Sequence, residues 1–247
     1  MSIAIKGTTI DEKRMVKEIQ FSLGLEQDGS IGFDTFATMY DKFSPKYPIA
    51  GLIYGQPTII SRDILLAEVR GKPLSNYAYA QCNTFTYPRA IKSCSIFITA
   101  SKVYCGNSCH AHLGKPETVL YRLNDDTMGV KRVTYSTELP KGVKWAFGGL
   151  GLLDMYDPIA EGFTGAFADV LRKTDHNLIW VREDGRIFQT LCRNMTGQQV
   201  NTWVKARNAK YAVCVDGGGL GAINTPDIKV NTKTLQGVIS QGIGEIK

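Results

Sequence analysis

The run Lys210-Tyr211-Ala212-Val213-Cys214-Val215 leads directly into Asp216-Gly217-Gly218-Gly219, and this junction is the place in the chain best suited to chemistry. The run reads as a strand because it is rich in β-branched and aromatic residues. A carboxylate delivered at the end of a strand, beside three glycines, can act where a backbone comes close to a ligand. Glycines lack the Cβ that would hold the ligand off, and consecutive amides can converge on an anion. That pairing suits a reaction in which one group stabilises a cationic carbon or activates water while amides hold a phosphate. The same residues also fit a hairpin turn whose Asp caps its own backbone.

Other residues extend the list. Arg172-Lys173-Thr174 offers two cations and a hydroxyl, and an Arg guanidinium can grip two phosphate oxygens at once. His176 follows closely and titrates near neutrality, which makes it a candidate proton carrier. Asn83, in Asn83-Thr84-Phe85-Thr86-Tyr87, can orient a sugar hydroxyl or a phosphate. A second carboxylate is left open among Asp154, Asp157, Glu161 and Asp169.

Asn83-Thr84-Phe85-Thr86-Tyr87, then Trp145-Ala146-Phe147-Gly148-Gly149-Leu150-Gly151-Leu152-Leu153, then Arg172-Lys173-Thr174, then Asp216-Gly217-Gly218-Gly219 follow one another in an order that resembles the phosphodiester glycosidase family. The resemblance runs from about Asn76 to Thr225. It implies an α+β domain with a mixed sheet that hydrolyses a sugar-1-phosphodiester at the anomeric carbon. It places Asp216, Asn83 and Arg172 or Lys173 in the catalytic group, with Gly217, Gly218, Gly219, Lys173 and Thr174 against substrate. The sequence departs from the family's pattern at several points. Leu220-Gly221 stands where serines usually follow the glycines, Lys173 splits the Arg-Thr pair, Asp175-His176 replaces a glycine, and Thr84 and Thr86 stand in the asparagine motif. Those changes are compatible with a divergent substrate or with an inactive glycan-binding relative.

The elements that must position these residues are short strands and turns. Asn177–Arg182 and Arg186–Phe188 flank Glu183-Asp184-Gly185 as a hairpin, Ser95–Thr99 reads as a strand, and Thr196–Ala206 carries a helical pattern. Few helices among many strands indicate an α+β domain over 49–247. Ahead of it, Val16, Ile19, Gln20 and Leu23 share one helical face that Gly24 ends, and Asp28-Gly29 makes a tight turn before a second helix from Thr35. Residues 1–48 therefore read as a separate module, ended by the linker Ser44-Pro45-Lys46-Tyr47-Pro48. Val16-x-x-Ile19-Gln20-x-x-Leu23-Gly24 with Asp28-Gly29-x-Ile31-Gly32-x-x-Thr35 resembles a peptidoglycan-binding repeat, which implies contact with wall polymer.

Composition sets the outer bounds. With 43% hydrophobic and 21% charged residues, a folded globular chain is expected. A net charge of +6 favours anionic partners such as a phosphorylated glycan or an anionic wall polymer. No Lys/Arg run interleaves with aromatics, which argues against nucleic acid. No secretory signal or membrane span is legible, and with a wall-binding module that points to a cytoplasmically made protein of a phage virion or lysis system. The six cysteines are expected reduced. Cys105-Gly-Asn-Ser-Cys109-His110-Ala-His112 leaves a surface loop, a local disulfide and a zinc site open, and Cys82 permits a rival thiol hydrolase. No cofactor is evident, and the phosphate chemistry leaves room for a divalent cation.

Overall fold

The computed structural model describes residues 4–5, 8–9, 12–30, 32, 35, 38, 48–67, 74–76, 79–82, 85–87, 92–231 and 239–241. Ten strands form its main sheet: β1 (Ile49–Ile53), β2 (Gln56–Ser61), β3 (Phe97–Thr99), β4 (Lys102–Cys105), β5 (Glu117–Leu123), β6 (Met128–Val133), β7 (Val143–Gly151), β8 (Thr174–Arg182), β9 (Ile187–Met195) and β10 (Ala209–Gly217). Helix α1 (Glu12–Ser22) precedes them and α2 (Gly197–Lys205) lies between β9 and β10. The order across the sheet is β4-β3-β7-β10-β8-β9-β2-β1, with β5 and β6 branching from β7.

Every described ladder is antiparallel, which corrects the expectation of a mixed sheet. The physical reason is local. Several consecutive strands are joined by tight turns, and parallel pairs need a long crossover instead. The expected hairpin is present: Gly185 takes φ +77° in the turn, and Asp184 accepts a hydrogen bond from the Arg186 N–H at 3.0 Å.

Strand β7 is the pivot. Its middle pairs with β5 on one side and β3 on the other, and its end, at Leu150 and Gly151, reaches β10. Strands β8 and β10 are buried on both faces, so their apolar residues run without alternation. Leu178 and Trp180 enter one core cluster with Ala212 and Cys214, while Ile179 and Val181 enter the other with Val213 and Val215. Successive side chains point to opposite faces, so one uninterrupted apolar strand can serve two cores.

Helix α2 seals the first core with Val200, Trp203 and Val204. It starts where the sequence places it. The Thr196 hydroxyl accepts from the Gln199 N–H at 3.2 Å and the Gln199 side chain accepts from the Thr196 N–H at 2.8 Å, a reciprocal cap that satisfies two otherwise unpaired donors. Trp203 meets Trp180 edge to face at 6.1 Å.

At the front, α1 ends in Gly24, whose φ of +71° is the left-handed geometry expected there. Gln20 is buried and acts as a hub. Its amide donates to Asp28, to the Ser30 carbonyl and to Thr35, and its oxygen accepts from the Gly29 N–H. One side chain thus holds the Asp28-Gly29 turn against the helix. Most of the second helix and residues 44–47 of the linker lie outside the described residues. Among the described residues no helix is long and apolar enough to cross a membrane.

Candidate active site

Strand β10 ends in the feature that the sequence singled out. Asp216 is nearly buried, and one of its oxygens accepts the Gly217 N–H at 2.6 Å. The three glycines then do different jobs. Gly217 is extended, and a Cβ on it would collide with the Asp175 carbonyl on β8. Gly218 adopts φ +63°, which a side chain would strain, and starts a short 3₁₀ turn, Gly218–Leu220. Among the described residues, nothing lies near the place where a Cβ on Gly219 would be. Gly219 leaves backbone open to a ligand.

A cavity of about 480 Å³ lies over this turn, within the size range of small-molecule sites. Asp216, Gly217, Gly218, Gly219 and Leu220 form one wall. Arg172, Lys173 and Thr174 at the start of β8 form another, with Asp169, Val170 and Phe85 completing it. Stretches distant in sequence therefore meet at one place. They meet because β8 and β10 are neighbours in the sheet, with His176 in register with Gly217.

The two cations differ. Arg172 pairs with Asp169 at 2.5 Å, and both side chains are about 70% exposed, at 70% and 74%. A pair so exposed is screened and contributes little to stability, so the guanidinium is available for exchange onto an anionic ligand. Lys173 makes no ion pair among the described residues, and it also lines a second, more open cavity with Arg193, Gln198, Thr202 and Trp203.

His176 does not line the cavity. It is fully buried beneath it, where its Nε2 sits 2.7 Å from the Met195 carbonyl and 3.3 Å from that of Arg172. Burial lowers its pKa. The ring donates to main-chain carbonyls, which holds the Arg172 backbone beside the cavity. Asn83 and Thr84 lie outside the described residues; Phe85, from the same motif, lines the cavity.

Of the four acids left open, only Asp169 lines the cavity. Asp154 is exposed in a turn, and Asp157 caps the Ala160 N–H. Glu161 is wholly buried, where it accepts from the Thr118 hydroxyl, the Gly151 N–H and Arg132. Burial, opposed by these bonds, raises its pKa.

Two contributors were not found from sequence. Asn177 on β8 is fully buried; its amide donates to the Leu220 carbonyl and its oxygen accepts the Ala222 N–H. It clamps the far end of the glycine turn. The second is Glu117 on β5, a buried carboxylate that binds the segments flanking the site: it accepts from Ser95 Oγ at 2.7 Å, the Ile96 N–H at 2.6 Å and the Cys109 N–H at 3.2 Å. Burial pushes its pKa up to about 8 despite these donors. Both depend on what lies across the sheet, which no local pattern reports.

The alternative chemistries fare differently. Cys82 is fully buried against Leu74, Ala80 and Ala222 and does not itself line the cavity. Cys105 and Cys109 turn to different partners: Cys105 Sγ to the Asn107 carbonyl and Cys109 Sγ to Cys94 Sγ. His110 gives its Nδ1 to the Glu161 carbonyl at 2.8 Å. No group of His, Cys, Asp and Glu with metal-binding geometry occurs among the described residues.

Comparison with known proteins finds likeness in structure only. No family model matches the chain, and no curated protein matches it by sequence. Among solved structures, it is similar to the catalytic domain of zebrafish N-acetylglucosamine-1-phosphodiester alpha-N-acetylglucosaminidase, auto-inhibited by its pro-peptide. The TM-score is 0.52 at 12% identity, over 78% of this chain and 80% of that one. A hypothetical protein from Synechocystis aligns with a TM-score of 0.49 at 10% identity, over 79% of this chain and 60% of that one. The first likeness shows an α+β fold resembling that domain.

Proposed function

We propose that this protein is a hydrolase that cleaves a sugar-1-phosphodiester at the anomeric carbon, releasing free sugar and a phosphomonoester. The observation that carries the reading is the meeting of Asp216, the open backbone at Gly219 and the cations Arg172 and Lys173 on one cavity, on a fold of the glycosidase type.

The division of labour follows from charge. The bond from C1 to the bridging oxygen breaks, its electron pair leaves on the phosphate, and water supplies the new hydroxyl. The leaving phosphate is a stable anion, so it needs charge stabilisation more than protonation. Arg172, Lys173 and the amides of the glycine turn supply it. Asp216 stabilises the oxocarbenium-like carbon or takes the proton of the attacking water. Thr174 adds a hydroxyl at the same wall. Asn83 keeps its role as a ligand to a sugar hydroxyl or phosphate, and His176 becomes a positioning residue for the Arg172 backbone. The substrate class is a phosphorylated glycan or an anionic wall polymer, which suits the net charge of +6.

Residues 1–48 extend this reading as a module that holds wall polymer near the site, in the context of a phage virion or lysis protein. The Gln20 hub supports it by giving this short segment a polar core of its own. A fragment from Ile49 onward should then stay folded and active on a small diester while losing affinity for wall polymer. An insoluble fragment would contradict the separation.

The test of the central reading is a panel of sugar-1-phosphodiesters assayed for free sugar, with Asp216→Asn beside the parent chain. Release by the parent and loss in the variant is expected. Retained glycan binding with no release from any diester would favour a catalytically inactive binding protein, and loss of activity in Cys82→Ala alone would favour the thiol hydrolase.

A further inference from the structure

We propose that Cys94 and Cys109 are a dithiol placed to close into a disulfide, a covalent modification site one hydrogen bond behind the Phe85 wall of the candidate active-site cavity. Their sulfurs are 3.7 Å apart, in van der Waals contact, and both residues are partly exposed. A disulfide needs about 2.05 Å, so the two sulfurs have less than 2 Å to close. The other four cysteines are differently placed: Cys82, Cys192 and Cys214 are fully buried, and Cys105 faces the Asn107 carbonyl.

The contact has a structural cause. The Glu117 carboxylate accepts from Ser95 and Ile96, the two residues after Cys94, and from the Cys109 N–H. One buried side chain therefore ties both cysteine-bearing segments to the same point of β5. Between them runs the β3–β4 hairpin, and β4 is the edge of the main sheet. Closing the bond would staple that edge.

It would also reach the cavity. The Cys94 N–H donates to the Phe85 carbonyl at 2.9 Å, and Phe85 lines the cavity. A crosslink at Cys94 fixes the anchor from which that wall hangs.

The chemistry balances with a low-molecular-weight disulfide, such as oxidised glutathione, as the oxidant. The hydrogen bond with Cys109, together with burial, raises the pKa of the Cys94 thiol; in one balanced order Cys109 attacks first. Cys109 sulfur bonds to one glutathione sulfur and expels the other as thiolate. Cys94 then attacks the Cys109 sulfur and expels the second glutathione. Two electrons pass to the oxidant, and the two protons end on the released thiols.

The experiment is to equilibrate the native full chain with oxidised glutathione, alkylate the remaining thiols, digest, and map crosslinks by mass spectrometry, with Tm followed in parallel. The expected result is one crosslinked peptide pair joining Cys94 and Cys109, the loss of two of the six thiols that alkylate once the chain is denatured, and a rise in Tm of roughly 5 °C that dithiothreitol reverses. Cys105→Ser should keep all three changes and Cys94→Ser should lose them. Alkylation of both Cys94 and Cys109 after full equilibration, or a crosslink of Cys109 to Cys105, would overturn the proposal. The map of the unmodified chain decides this even if a variant does not fold.

Discussion

Residues 148–151 on β7 and residues 217–219 at the end of β10 are both glycine-rich, and each lies against carboxylates held close to backbone. The first stretch is sealed. A Cβ on Gly148 would enter the Glu117 carboxylate, one on Gly149 the Cys214 carbonyl, and one on Gly151 the Thr118 hydroxyl that serves Glu161. Its glycines exist so that three strands and two buried acids can share one narrow layer. The second stretch has only Gly217 in that condition, while Gly219 looks into open space over a cavity. The same residue type thus builds core at one place and a ligand-facing surface at the other. What separates them is the presence of a wall on the far side.

Breaking the sealed stretch should have the largest effect. Gly149→Ala pushes a methyl into backbone that cannot swing aside, and should cost about 3 kcal/mol in denaturant unfolding. A variant as stable as the parent would mean that β7 and β10 approach less closely than described. Breaking the open stretch should leave stability alone and remove function. Asp216→Asn should lower turnover on a sugar-1-phosphodiester by roughly 10²-fold, with a thermal midpoint near that of the parent. Arg172→Ala and Lys173→Ala should then differ from each other in KM, because among the described residues only Arg172 has a carboxylate partner to give up.

A third prediction tests the sealed acids by pH. Glu117 holds its proton up to about 8 in the fold, against an ordinary value near 4.5. Between those values the folded chain binds a proton that the unfolded chain does not. Stability should therefore fall as pH rises across that window, by up to roughly 1.4 kcal/mol per unit, and level off above it. In Glu117→Gln the slope should flatten. An unchanged slope in that variant would assign the dependence elsewhere. The smallest effect is expected at Gly219→Ala: below about 1 kcal/mol in stability, yet a measurable rise in KM, since the new methyl points into the cavity.

How far the sequence carried is clearest from these same residues. The strand ending at Asp216, the hairpin around Gly185 and the capped helix from Thr196 were legible, because strand composition, turn chemistry and caps are local signals. The meeting of Arg172, Lys173 and Asp216 was legible only through the order of motifs. Glu117, Asn177 and the Cys94–Cys109 contact were not, since each is defined by what the sheet places opposite it. His176 shows the limit from the other side. Its place four residues after Arg172 suggested a shared site, but the strand turns the ring under the floor, where burial keeps it neutral. Gly148 and Gly149 stand in the sequence as a motif without a visible reason, for the reasons lie on other strands: the Glu117 carboxyl group on β5 and the Cys214 carbonyl on β10.

The roles of Asp216 and the glycine turn depend most directly on which bond breaks. Hydrolysis of a sugar-1-phosphodiester in ¹⁸O-labelled water, followed by mass spectrometry of both products, reads this without any variant. Attack at the anomeric carbon places the label in the released sugar and leaves the phosphomonoester unlabelled, the result predicted here. Label in the phosphate would mean attack at phosphorus, and would contradict the roles given to Asp216 and the glycine turn.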